Sequence, residues 1–430
     1  MITALALLVL SQNPAWCYRA ARAGHECPRA SNRSGSGLAF FEAFNGIGTS
    51  TACSTTAPTG AKGEALTFTR ASNGTCTKTA TGGLATTGIA NGDLVVLASD
   101  KARVEYDSSG TLGLLVEASR TNYALRSQEI DNAAWTKSGT TPPTVTADFA
   151  VAPDGTTTAD RVQFAATTGV QDSVISQSNI WPIGSTAGAF YVKGNAGTSG
   201  SIDLQITTAG SCVACSFVGT SWSRCIIDNR SVAGAHSFVL GNFGSICGSA
   251  TRAAADVLVW QADAQAGSYI TSPIPTTSAT VTRAADNAYF VLSPTLGNFS
   301  IAANFQTPST APVMRLHGSL RREPDDGVNF IGSYQDTPNF RGQFVSTAGT
   351  VTVLDGATAT TGRAASYFDG TLLGACINSS CTTVAKGVFS LANFTNPLAI
   401  QVGSYSPTNG NIDGIQTRLC FEPNNPSRCR

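Results

Sequence analysis

Apolar and polar positions alternate along this chain in short runs and almost nowhere recur at helical spacing. LVVL at 94–97 and LGLLV at 112–116 are bounded by Gly, Asp and Ser, the mark of strands joined by tight turns. DSSG at 107–110 reads as a hairpin turn. The same period-2 texture continues through GAFYVKG, SIDLQITTAG, CSFVGTSWSRCIID, HSFVLGNFG and ADVLVWQADA. About eight such strands in succession predict a two-sheet jelly roll. NFSIAANFQ, GVNFIGSYQ, FRGQFVSTAG, AASYFDGTLLGACIN and LAIQVGSYSPTNGNIDGIQTRLCF repeat the texture and predict a second sandwich. The expected fold class is all-β: two β-sandwiches preceded by a β-rich N-terminal arm.

Between the sandwiches lies TSPIPTTSATVTRAADN, residues 271–287. Its prolines close the jelly roll's last strand, 276–279 form the hinge, and TVTRA is expected to open the second sandwich. TFTRASNGT at 67–75 echoes TVTRAADNA at 280–288 in the pattern T-x-T-R-A-x-(N/D). The apolar start, MITALALLVL, is too short to span a bilayer and suits a signal-peptide core, although it lacks a basic flank. The expected organisation is a candidate signal peptide at 1–15, a Cys-containing β-rich region at 16–122, a jelly roll at 123–279 and a second sandwich at 280–430.

Composition narrows the class. Only 13% of the 430 residues are charged and 43 are Gly, which favours strands and turns over charge-laced helices. Lys plus Arg and Asp plus Glu stand at 27 each, so no net field directs the chain to nucleic acid or an anionic membrane. No later stretch is long enough for a membrane span. The twelve cysteines fall into local groups of even number: Cys17 and Cys27; Cys53 and Cys76; Cys212, Cys215, Cys225 and Cys247; Cys376 and Cys381; Cys420 and Cys429. That parity predicts disulfides within each group and an oxidising compartment, with connectivity open. A zinc site at the C-x-x-C of Cys212 and Cys215 is the alternative, which the strand-like text around Cys225 and Cys247 opposes.

GLLVEASRTNYALRSQEIDNAAWTKSGTTPPTVTADFAVAPDGTTTADRV, residues 113–162, resembles the opening of a jelly-roll module. That module recurs in bacteriophage tail-fibre, head-fibre and other virion-surface proteins, and in some bacterial extracellular proteins. SWSRCIID and VLVWQADAQAGSYITSPIPTTSATVTRAADN are similar to its closing strands, so the resemblance covers roughly residues 67–287. The cysteines at 212, 215, 225 and 247 and the leader-like start depart from the pattern. SYFDGTLLG with LAIQVGSYSPTNGNIDGIQTRLCF is similar to the end of a laminin-G or concanavalin-type domain, although that family's Gly-Trp is absent. The resemblances imply an extracellular protein, secreted or on a cell or virion surface, whose jelly roll is like a carbohydrate-binding module. They also imply a structural calcium ion. Asp154 in APDGTT and Asp325 with Asp326 in EPDDG fit by residue type, with plain turn acids as the alternative.

Catalytic patterns are scarce. Retaining glucanases need two carboxyl groups about 5–5.5 Å apart, usually on one strand, and the final block holds only Glu323 and Glu422, neither in such a setting. His25, His236 and His317 are isolated, and no GxSxG, HExxH or P-loop occurs, so no enzyme activity is expected. Glycan binding needs aromatic faces beside amides or guanidinium groups. Trp181 in SNIWPIG is the first candidate, followed by Tyr334, Phe340 and Arg341 in GSYQDTPNFRG and by Tyr405 in GSYSPTNG. Trp135, Trp222 and Trp260 read as core. Glu117 and Arg120 read as an exposed, architectural pair. The expected function is non-enzymatic glycan recognition; the alternative is a fibre, decoration or appendage subunit that self-assembles without a soluble ligand.

Overall fold

The computed structural model describes residues 41–43, 52–54, 59, 64–79, 87–107, 109–178, 180, 183–206, 212–234, 236–244, 247, 251–294, 296–307, 315–322, 328–336, 339–355, 359, 361–378, 380–402 and 414–422. The chain divides into residues 1–39 and 40–430. The first unit, with the candidate signal peptide, Cys17 and Cys27, lies outside the described residues. In the second, the described elements are strands and two short 3-10 turns, so the chain is all-β.

The inner sandwich spans residues 120–283. One sheet runs Ser223–Val232, Gly184–Gly194, Ala255–Ala266, Ala159–Phe164, Thr144–Ala150; the facing sheet runs Cys212–Phe217, Gly200–Ile206, Phe238–Phe243, Asp172–Gln177, Thr136–Gly139. Beyond residue 164 the chain crosses repeatedly from one sheet to the other, the way a jelly roll interleaves its halves. Alternation then fills the space between the sheets. Ile202, Leu204 and Ile206 share a core with Phe190, Val192, Val257 and Val259, and Trp135 meets Phe238 edge-on at 5.8 Å. Trp222 and Trp260 are buried on the opposite face of the first sheet, where Ile89 and Leu94 of the N-terminal segment cover them.

The outer sandwich has one sheet in the order Ser380–Ala385, Leu372–Ile377, Thr361–Phe368, Phe299–Gln306, Gly414–Glu422, Leu112–Val116, Arg103–Tyr106. Its second sheet runs Leu66–Thr69, Asn287–Leu292, Leu398–Val402, Arg315–Arg322, Phe330–Asp336, Asn339–Ser346, Gly349–Asp355. Strand pairing therefore crosses the boundaries read from sequence. Residues 66–69 and 103–116, assigned to a separate arm, belong to the outer sandwich, because Leu66, Phe68, Leu114 and Val116 bury their apolar face with Phe290, Ile301 and Phe421. The inner sandwich is in effect inserted between those strands and the rest of the outer one. TVTRA is likewise reassigned: Val281–Arg283 pairs with Arg120–Asn122 beside the inner sandwich, and the outer sandwich resumes at Asn287–Leu292.

Four disulfides lie within the local groups: Cys53–Cys76, Cys212–Cys247, Cys215–Cys225 and Cys376–Cys381. Cys420 is disulfide-bonded as well, while Cys429 is outside the described residues. The zinc alternative falls, since Cys212, Cys215, Cys225 and Cys247 are all oxidised. Cys215–Cys225 ties the edge strands of the two inner sheets together.

Candidate functional site

Residues 271–287 run along a chain of buried charges at the junction of the two sandwiches. Both arginines of the T-x-T-R echo enter it. Arg70 Nη1 donates to Asp286 Oδ1 at 3.1 Å, and Arg283 Nη1 lies 3.0 Å from Glu117 Oε2. Arg103 stands between them and contacts both Glu117 and Asp286. Ser272 is the hub: its Oγ accepts from Arg103 and Arg283, each at 2.8 Å, and its N–H donates to Glu117 Oε1 at 2.8 Å. With Glu105, which accepts the Thr77 N–H at 2.9 Å, three guanidinium groups face three carboxylates and the cluster is neutral. That balance is what makes the burial tolerable, since an unpaired charge here would lose its hydration with no return.

The neighbours set the protonation states. Burial opposes the charge on Glu117, but Arg283 and Arg103 outweigh it and hold the carboxyl well below its usual range. Burial likewise opposes the charge on Arg103, and Asp286 and Glu117 more than restore it. Arg70 moves the other way, lowered by burial and by the nearby Arg103. The network continues into the inner sandwich, where Arg224 donates to Thr271 O at 2.7 Å and pairs with Asp263 at 3.3 Å. Asp263 also accepts the Ile274 N–H at 3.0 Å, yet burial dominates and pushes its carboxyl up to about 6.

Above this floor opens a cleft of about 470 Å³, within the range of small-ligand sites. Three distant parts of the chain wall it: the turn Ser72, Asn73 and Thr75 with Val96, the loop residues Gln128 and Asp154, and the joint itself at Pro273, Pro275, Val281 and Thr282. Thr75 Oγ1 donates to Pro273 O at 2.9 Å and the Ala284 N–H donates to Ser72 Oγ at 2.9 Å, so the walls are pinned to each other. A Cβ at Gly74 would meet the Arg70 guanidinium carbon at 2.8 Å, so a larger residue there would have to displace a guanidinium held by Asp286 and the Ala98 carbonyl. The lining offers hydroxyls, amides and flat apolar faces. Arg283 reaches it only with charge already matched.

The sequence-read candidates are dispersed. Asp154 lines the cleft, but its Oδ1 is taken by the Thr156 N–H at 2.9 Å and the Thr156 hydroxyl at 2.6 Å. No second acidic side chain lines the cleft beside it, and among the described residues no group of three His, Cys, Asp or Glu could hold a metal ion. Asp325 and Asp326, like Trp181 and Tyr405, lie outside the described residues. Phe340 has no exposed surface and packs in the outer core, so it cannot offer a face to a ligand. GSYQDTPNFRG is two paired strands, with Tyr334 in register opposite Arg341, which is half-buried. The Glu117–Arg120 pair is replaced as well. Glu117 is buried against Arg103 and Arg283, while Arg120 lies over the Tyr269 ring at 5.3 Å and donates to its hydroxyl at 3.1 Å.

No family model matches the chain, and no curated protein matches it. Among solved structures, the N-terminal CBM22-1–CBM22-2 tandem domain of Paenibacillus barcinonensis Xyn10C aligns over 72% of this chain and 96% of that one, at 10% identity and a TM-score of 0.24. A superposition at that score fixes no fold, and the sandwich architecture rests on the strand pairing above.

Proposed function

We propose that this chain is a non-enzymatic recognition protein of an extracellular or virion surface, and that it binds a neutral glycan in the cleft at the sandwich junction. The cleft's lining carries the reading: neutral hydrogen-bonding groups and apolar faces, over a floor whose charges are already matched. Such a surface complements a polyhydroxylated ring with C–H faces and gives an anionic ligand no free cation. Asp154 alone supplies a carboxylate, whereas glycoside cleavage calls on two. The disulfides suit an oxidising location, and the resemblance of residues 113–162 to virion-surface jelly rolls supports the setting.

Self-assembly is the weaker reading. Among the several sheet edges, the one at Thr144–Ala150 carries a bulge and a left-handed Asp148, features that discourage a neighbour's strand from pairing there. The test is a neutral-polysaccharide panel read by isothermal titration. Asn73→Ala with Gln128→Ala should weaken the strongest binding by at least roughly fivefold, about one hydrogen bond's worth, with the melting temperature unchanged. Equal affinity in the double variant, or no binding by the native chain at millimolar sugar, would sink the reading.

A further inference from the structure

A second feature lies away from the cleft, on the outer face of the inner sheet that contains Ala159–Phe164 and Ala255–Ala266. Residues 89–94 cover only part of this face, through Ile89 and Leu94 against Tyr191, Trp222, Leu258 and Trp260. On the uncovered part stands Phe149, 45% exposed on the edge strand Thr144–Ala150. An exposed aromatic alone would mean little. Its backbone support is the informative part.

Asp148, just before it, sits at φ +47°, a left-handed conformation unfavourable for a residue with a side chain, and the pairing register shifts here in a bulge. Asp160 holds that conformation: its Oδ1 accepts the Asp148 N–H at 2.9 Å and its Oδ2 accepts the Asp131 N–H at 3.0 Å. Thus a buried carboxylate is committed to a strained turn whose visible result is to present Phe149 to solvent.

The surroundings are polar and oriented. Arg161 lies over the ring with its guanidinium carbon 5.2 Å from the centroid. It forks onto Asp256 through Nε at 2.9 Å and Nη2 at 2.6 Å, and Asn195 Nδ2 donates to the same carboxylate at 3.2 Å. Because Asp256 neutralises Arg161, the shelf does not select anions. The pair remains about 30% exposed, so its outer lone pairs and N–H groups are within reach of a ligand.

We propose that Phe149, Arg161, Asp256 and Asn195 form a second carbohydrate site, separate from the cleft, that takes one pyranose unit of a neutral glycan. The sugar's C–H face would stack on the side of the Phe149 ring turned away from Arg161, its hydroxyls reaching past the ring edge to donate to Asp256 and accept from Asn195. Affinity electrophoresis tests this, with the full chain run through gels that contain soluble mannan, β-glucan, xylan or galactan. Phe149→Ala should bind at least one of them roughly three- to tenfold more weakly. Phe149→Tyr should restore retardation, and the Asn73→Ala, Gln128→Ala chain should keep the Phe149-dependent part. Should Phe149→Ala lower the melting temperature, Asn195→Ala reads the same shelf. If Phe149→Ala migrates like the native chain in every gel that retards it, the second site is refuted while the cleft reading survives; if no gel retards the native chain, both fall.

Discussion

Asp286 closes the junction network. Its two oxygens engage Arg70 and Arg103, and Oδ2 also accepts the Glu117 N–H at 2.8 Å. Removing it would leave two buried guanidinium groups facing each other with one carboxylate fewer. Asp286→Ala should therefore destabilise the chain by about 3–5 kcal/mol, as expected when one partner of a buried ion pair is deleted. Urea unfolding followed by tryptophan fluorescence measures this, and a loss below about 1 kcal/mol would show that the network is not what holds the junction. The arginines of this cluster left a trace in the sequence, the T-x-T-R-A echo, but its meaning was hidden. Two copies of a short pattern suggest two units that begin alike; the physical cause is that Arg70 and Arg283 converge on one set of carboxylates. Glu117 was misplaced for a similar reason: its neighbour in sequence is Arg120, while its partners lie 14 and 166 residues away.

Strands were the most legible elements, since a half-buried strand writes its period-2 pattern directly into the chain. Their partners were not legible. Leu66–Thr69 pairs with Asn287–Leu292 across the whole inner sandwich, and no local signal encodes a ladder of that span. The aromatic run around Phe340 failed for a related reason, because a hairpin with one buried face and a loop with exposed rings share the same Tyr, Phe and Gly vocabulary. Cysteine grouping did carry over, as disulfides mostly join neighbours within one sandwich. Their contributions should follow the loop each closes. Replacing both cysteines of Cys212–Cys247, separated by 35 residues, should cost about 4 kcal/mol, against about 2 kcal/mol for Cys376–Cys381, separated by 5. Chemical denaturation of the paired Cys→Ala variants gives the order; the reverse order would mean that strain or unfolded-state structure outweighs loop closure.

For the whole molecule, buried charge at the junction and in the inner sandwich makes stability depend on pH in two opposite ways. Glu117 is held below its ordinary pKa, so its stabilisation is present above about pH 4.3 and is lost as pH falls beneath that. Asp263 is the reverse case. Burial raises it to about 6, so between about pH 4 and pH 6 the folded chain binds a proton that the unfolded chain does not. Stability must then decline as pH rises through 6. Asp160, also raised to about 6 by burial, adds a slope of the same sign. Together the two limbs place the optimum near pH 4, with stability falling between about pH 4 and pH 6 and levelling off above, a loss on the order of 2 kcal/mol from pH 5 to pH 7.5. Asp263→Asn separates the contributions, since it removes one titrating group from the upper limb and leaves the lower limb to Glu117. Urea midpoints across pH 3–8 should show a flatter upper limb in that variant and an unchanged acid limb. A native profile that rises monotonically from pH 5 to pH 7.5 would mean that Arg224, not burial, governs Asp263, and that the inner sandwich carries a fully ionised pair at its centre.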